Sequence, residues 1–450
     1  MFRPLLIIAL FFSPVLTQAA ESNMGLTGTE RGIYTVLIFI IAYVFVVVEE
    51  FTHLRKSKPV IVAAAIIWAH VAYLAKTNGI ATERLTAAVE YNLVEYAQLM
   101  LFLLVAITYV NTMAERNVFN VLRDWLIARR FSYKQLFWIT GGIAFFLSAV
   151  ADNLTTSLLI GAVVLAVGAK SPSFVNIGFI NIVVAANAGG AFSPFGDITT
   201  LMVWQSEHAE FFDFFSLFLP SVVNYLVPAA FMSAALPSGA PKITIKRNAV
   251  ALKPGAFSVC LLFLLTIITA VSFEQFLNLP PFLGMMAGFG LLMIFAFVLK
   301  EKVDGEKNYD IFERVREAEW DTLLFFFGVV FAVGGLGFIG YLELASNGMY
   351  NALGTTSASM LVGLLSSVID NIPIVFAVLS MNPDMNLFQW LLMTLSAGVG
   401  GSLLSVGSAA GVALMGQSQG KYSFFSHLKW TPYILLGFFA SIFTHYLVNS

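Results

Sequence analysis

The sequence predicts an all-α polytopic membrane protein of two inverted-topology repeats, each with a re-entrant helical hairpin and a broken transmembrane helix. Three observations lead there. Of 450 residues, 58% are hydrophobic and only 11% are charged, well under the quarter usual in soluble domains. Long apolar runs recur along the whole chain. Two of them hold matching polar pieces, Ser148-Ala149-Val150-Ala151-Asp152-Asn153 and Ser366-Ser367-Val368-Ile369-Asp370-Asn371, and a charge inside an apolar run is costly enough that a transport site is the default expectation.

Residues 1–20 carry Arg3, an apolar stretch from Leu5 to Leu16, and Thr17-Gln18-Ala19-Ala20. This is the pattern of a secretory signal peptide with a small-residue cleavage site. Cleaved or kept as a first span, it leaves Glu21 onward outside a bacterial inner membrane. The single cysteine, Cys260, lies in an apolar run, so neither a disulfide framework nor a thiolate metal site is on offer.

Apolar segments follow at about 32–51, 59–75, 92–112, 135–168, 174–203, 214–236, 256–276, 282–299, 320–341, 356–380, 387–415 and 430–448. A helix crosses in roughly 20 residues, so 135–168, 174–203 and 387–415 are too long for one simple crossing. The excess fits a re-entrant hairpin or a helix broken midway, and either irregular stretch must line a protein-walled cavity. Charge separates the options. With hairpins at 135–168 and 356–380 and single crossings elsewhere, every basic residue except Arg3, Arg31, Lys76 and Arg84 falls on one side. By the positive-inside rule that side is cytoplasmic. The chain then divides into repeats at 32–236 and 256–448, joined by a polar cytoplasmic linker at 237–255. One repeat enters from outside and the other from the cytoplasm, an arrangement common among secondary transporters.

In the first hairpin, Asp152 is placed to cap a returning half-helix that begins near Leu154, and Thr155 and Thr156 add hydroxyls. In the second, Asp370-Asn371-Ile372-Pro373 sets a proline beside the acid, where its missing donor is expected to end the incoming helix. A glycine-rich break follows each hairpin, within 174–203 and 387–415. The stretches Ala186–Thr200 and Ala397–Gly411 superpose without a gap, Gly189-Gly190 on Gly400-Gly401 and Gly196-Asp197 on Gly407-Ser408. Glycine density lets unwound carbonyls turn toward a hard cation such as sodium. Close helix packing would explain the glycines alone, but not Asn187, Asp197, Thr199 and Thr200 in the first break. The second break offers Ser405 and Ser408 and no acid.

These stretches resemble the NhaD-type sodium/proton antiporters of the ion-transporter superfamily. The resemblance is carried by Ala151-Asp152-Asn153-Leu154-Thr155-Thr156, by Asn187 to Thr200, by Asp370-Asn371-Ile372-Pro373 and by Gly398 to Gly411, and it covers the chain from about residue 30 to its end. It implies exchange of Na+ or Li+ for protons, an inverted-repeat fold and transport without a bound cofactor. It makes Asp152, Asn153, Asn187, Asp197, Thr199, Thr200, Asp370 and Asn371 cation-site candidates. Thr155, Thr156, Ser405 and Ser408 join them from the residue pattern. Sodium is expected at Asp152, Asn187 and Asp197, with Asp370 as a second acidic group, and Glu95 and His208 are accessory proton-site candidates.

A midplane carboxylate is either protonated or paired with a cation, because the bare charge is disfavoured in a low dielectric; sodium and protons therefore compete for it. An anion carrier of the same superfamily, moving dicarboxylates or effluxing arsenite, is the alternative, but an aspartate at each hairpin tip would repel a dianion. A passive channel calls for a continuous polar pore, whereas polarity here gathers at the middle of two repeats. No His-Glu metal motif or Gly-x-Ser-x-Gly points to an enzyme. The expected partners are monovalent cations, protons and the lipid bilayer, without nucleic acid; a homodimer is among the expected assemblies.

Overall fold

The computed structural model describes residues 23–450 apart from positions 53, 130, 169, 242–249, 304–305 and 307–308. The expected signal peptide and the middle of the 237–255 linker lie outside the described residues, as do Arg130, Lys242, Lys246, Arg247 and Lys307 of the basic side. No strand occurs among the described residues. The principal helices are α1 (Glu30–Val47), α2 (Ser57–Thr77), α3 (Thr82–Glu115), α4 (Val118–Ala128), α5 (Tyr133–Ser148), α6 (Asn153–Val167), α7 (Pro172–Gly190), α8 (Ile198–Gln205) and α9 (Phe218–Ala234). They continue with α10 (Ala256–Leu277), α11 (Pro281–Lys302), α12 (Trp320–Ile339), α13 (Thr355–Ser366), α14 (Asn371–Met381), α15 (Leu387–Gly400), α16 (Ala409–Gln417) and α17 (Thr431–Asn449). Among the described residues, eight helices are long and apolar enough to cross a membrane: α2, α3, α7, α9 with the turn before it, α10, α11, α12 and α17. The chain is a multi-pass membrane protein.

The long apolar segments are interrupted. The run 135–168 becomes α5 and α6, and 174–203 becomes α7 and α8; 356–380 becomes α13 and α14, and 387–415 becomes α15 and α16. Pro373 differs from expectation. The incoming helix α13 stops at Ser366, and Pro373 stands in the first turn of α14, where its missing N–H removes no intrahelical bond. It therefore opens the second helix instead of closing the first. Helix α3 also runs beyond 92–112, reaching 34 residues, because bilayer thickness sets a minimum for a spanning helix and no maximum.

The chain forms two compact units. One comprises the residues up to Met100, Glu319–Gly354 and Phe376–Pro383. Within it α1 packs on α2, and α2 lies along α12. The Ser57 hydroxyl donates to Asp321, and Trp68 Nε1 donates to the Phe331 carbonyl at 2.7 Å. The last carbonyls of a helix lack intrahelical donors; here Phe338 and Ile339 receive the N–H groups of Met24 and Leu26 at 2.9 and 3.2 Å.

The other unit comprises Leu101–Ala318, Thr355–Val375 and Asp384–Ser450. Helix α7 is buried almost throughout, and α15 is buried without interruption from Trp390 to Gly400. Helices apolar on every side occupy the middle of a fold. Against α7 pack α5, α6 and α9; against α15 pack α13, α8 and α17; α16 packs on α6. On α10, Phe257, Leu261, Leu264 and Ile268 are exposed, as lipid-facing side chains are. The two central helices are the ones that break, and this positions the site.

Candidate functional site

At the turn from α5 to α6, Asp152 takes a left-handed backbone conformation, φ 33°, which non-glycine residues seldom adopt. Its carboxylate accepts the Thr155 N–H at 2.8 Å and so caps α6. The Thr156 hydroxyl donates to the Ala151 carbonyl at 3.1 Å. Thr155 and Thr156 thus take part in shaping the turn that presents Asn153.

The break after α7 ends at Asp197, which has extended backbone and caps α8 by accepting the Thr199 N–H at 3.1 Å. The Thr200 hydroxyl holds the break together, donating to the Ser193 carbonyl at 2.8 Å and the Asp197 carbonyl at 2.6 Å. Asp197 is only 4% exposed. A buried carboxylate requires hydrogen-bond donors or a counter-charge, and the donors come from two separate helix starts. Asn153 Nδ2 lies 3.2 Å from Asp197 Oδ2 and 3.0 Å from Asn187 Oδ1. Asn371 Nδ2 lies 3.1 Å from Asp197 Oδ2. Asn187 in turn donates to Ser408 Oγ at 3.0 Å. Asp370 stands next to Asn371 in the chain.

Asn153, Asn187, Asp197, Asn371 and Ser408 are therefore one hydrogen-bonded cluster, in which Thr199 contributes its backbone amide. Asp152 borders it through Asn153, with its own carboxylate on α6. Ser405 is fully buried, and its hydroxyl has no hydrogen-bond partner among the described residues. Two candidates make no hydrogen bond in this cluster among the described residues. Glu95, partly buried, belongs to the other compact unit. The His208 ring stacks flat on Trp390, centroids 3.8 Å apart, and burial holds its imidazole below the ordinary value.

Several side chains that organise the cluster were not among the candidates. Ser148 Oγ donates to the Ala186 carbonyl at 2.7 Å, and Ser366 Oγ donates to the Ala397 carbonyl at 2.8 Å. Each stands four residues before its aspartate, a spacing visible in the sequence. A Cβ on Gly189 would meet the Phe145 carbonyl oxygen at 2.0 Å, and one on Gly400 would meet the Gly363 carbonyl oxygen at 2.1 Å. At Gly196 and Gly407 it would meet the carbonyl oxygens of Ser148 and Ser367, both at 2.6 Å. The Ser148–Ala186 and Phe145–Gly189 contacts between α5 and α7 recur as Ser366–Ala397 and Gly363–Gly400 between α13 and α15, while the carbonyl facing Gly407 is one position further on, at Ser367. His427, wholly buried, bonds the Ser402 carbonyl in the second break through Nε2 at 2.9 Å and the Tyr422 hydroxyl through Nδ1 at 2.7 Å. Among the described residues, no group of three His, Cys, Asp or Glu side chains gathers as a metal centre. The cluster is instead a mixed set of carboxylate, amide and hydroxyl groups around one acid.

Comparison with known proteins adds independent findings. A family profile described as Citrate transporter matches residues 43–398. The Na(+)/H(+) antiporter NhaD of Vibrio cholerae serotype O1 is 51% identical over 463 aligned residues, covering 97% of this chain and 96% of that protein. The Na(+)/H(+) antiporter NhaD of Alkalimonas amylolytica is 50% identical, covering 99% of this chain and 96% of its own length. Sodium/proton antiporter 1 of Arabidopsis thaliana is 29% identical across 97% of this chain and 76% of its own.

Proposed function

The chain belongs to the NhaD-type sodium/proton antiporter family, and on that premise we propose that it exchanges Na+ or Li+ for protons across a bacterial inner membrane, with Asp197 as the carboxylate for which the ions compete. The observation that carries the assignment of Asp197 is the convergence of Asn153 and Asn371 on this one buried acid.

An ionised carboxylate has no hydrogen to give. The amides beside it therefore present nitrogen, and their N–H groups, with the Thr199 amide, stand where a cation's attraction would otherwise be needed. Sodium calls for oxygen ligands. The terminal torsion of asparagine is broad and two-fold, so rotation of Asn153 and Asn371 offers Oδ1 in place of Nδ2. Loading a cation then replaces N–H donors by carbonyl oxygens, and loading a proton neutralises the acid directly. In this reading Asp152, Thr155 and Thr156 set the first turn; Asn187, Thr199, Thr200, Ser405 and Ser408 complete the polar shell; Asp370 is the second acid. The recurring serine and glycine contacts support two inverted repeats, 32–236 and 256–448, with re-entrant pairs at 135–168 and 356–380. Exposing the broken helices to each side in turn completes the exchange.

The matching family profile is described as Citrate transporter, but an anion at this place would meet the Asp197 carboxylate. The test is proton movement in everted vesicles, followed by a pH-sensitive dye on addition of Na+, Li+, K+ or citrate. Na+ and Li+ should collapse the proton gradient, and Asp197→Asn should abolish the response. A response to citrate alone, or full exchange in Asp197→Asn, would sink the proposal.

A further inference from the structure

Resting on the sodium reading above, we propose that each chain holds one alkali cation at a time, because a second place provided by its repeated architecture lacks the acid. The two breaks correspond residue by residue. Asp197 has φ −144° and ψ 145°, and Ser408 has φ −142° and ψ 150°; each caps the helix after its break. Asn153 and Asn371 correspond at the two helix starts, as do Ser148 and Ser366, and Asn187 and Gly398 within the two central helices.

Were both places built alike, Asn371 would serve an acid at position 408. It reaches Asp197 instead, at 3.1 Å. Ser408 is left with the Asn187 amide and, at 3.4 Å, the Gly411 N–H. A hydroxyl supplies no counter-charge, and an unpaired cation buried in an apolar segment is strongly disfavoured. Asp370 stands next to Asn371 in the chain, and the Asn371 amide is turned to Asp197 and not to position 408. Gly398 adds to this. A Cβ there would lie 3.3 Å from Ala191 Cβ and 3.9 Å from Asp197 Oδ2, so the residue corresponding to Asn187 packs closely beside Asp197 and adds no side-chain ligand.

The experiment is equilibrium binding of radioactive sodium to the purified full-length protein in detergent at alkaline pH, together with the sodium dependence of proton movement in everted vesicles. One sodium per chain at saturation and a Hill coefficient of one are expected; two per chain overturns the inference while leaving sodium exchange intact. Absence of both sodium binding and sodium-driven proton movement would overturn the exchange reading itself. Ser408→Asp supplies the missing acid and should raise the count to two. If that variant folds, as judged by an unchanged melting transition, and still binds one, the second place does not exist. The wild-type count decides the inference even if Ser408→Asp fails to assemble.

Discussion

Asn153 and Asn371 each open the second helix of a pair, and both direct Nδ2 at the Asp197 carboxylate, at 3.2 and 3.1 Å. Residues far apart in the chain thus share one acceptor. Removing either donor from a buried acceptor costs about 1–3 kcal/mol. Asn153→Leu and Asn371→Leu should each raise the apparent KM for sodium about tenfold or more. Groups sharing a partner are coupled, so the double variant should fall short of the product of the two. Strict multiplication in the vesicle assay would mean that the amides act on separate centres.

The close contacts at Gly189 and Gly400 yield a paired expectation. An added methyl would press on the carbonyl oxygen of Phe145 in one case and of Gly363 in the other, and overpacking of this kind costs about 1–3 kcal/mol or more. Gly189→Ala and Gly400→Ala should lower heat resistance in detergent to similar extents. Gly142→Ala and Gly416→Ala, with nothing within 4 Å of the new Cβ, serve as controls and should be silent. The readout is the fraction of protein surviving heating on size-exclusion chromatography.

Cation size should be read beside Gly398. The Cβ of Gly398→Ala would lie 3.3 Å from Ala191 Cβ and 3.9 Å from Asp197 Oδ2, a tight but tolerable fit that takes room from the cation's flank. We expect the ratio of Na+ to Li+ apparent KM to rise several-fold, since lithium is the smaller ion. An unchanged ratio would place the cation on another side of Asp197.

His427 should make stability depend on acidity. Burial pushes its imidazole from the ordinary 6.5 down to about 4, so the folded protein favours the neutral ring, which bonds Ser402 and Tyr422. The unfolded chain binds the proton more readily. The stabilisation is therefore fully present above pH 6.5 and is lost as the pH falls from 6.5 toward 4, an effect on the order of 3 kcal/mol. Thermal unfolding of the purified protein across this window should show a steeper loss for the wild type than for His427→Gln; parallel curves would refute it.

Ser148 and Ser366 illustrate how much of the site could be read beforehand. The turn at Asp152 and the glycine-rich stretches before Asp197 and Ser408 were legible because the cost of a charge in an apolar run and the effect of glycine on a helix are local. The serines stood in the same matching pieces, yet a serine in an apolar helix commonly bonds its own helix's carbonyls. Only packing shows that these two reach across to Ala186 and Ala397. Pro373 misled for the converse reason: proline is unfavourable inside a helix and harmless in its first turn, and its effect depends on where the helix begins.

By itself, the sequence determined that this chain lives in a membrane, that it carries two related sets of polar interruptions, and that aspartates and asparagines stand at them. Those properties follow from hydrophobic length, glycine placement and desolvation, which act over a turn or two of helix. Only the tertiary structure decided which acid gathers the ligands. Beyond the helix cap that the sequence already placed at Asp152, packing gave Asp197 the amides of Asn153 and Asn371 and made Ser408 a partner of Asn187. Asp197 and Ser408 share a local conformation, but a buried charge draws donors from whatever helices packing brings within about 3 Å, and packing brought both asparagines to the one acid of that pair.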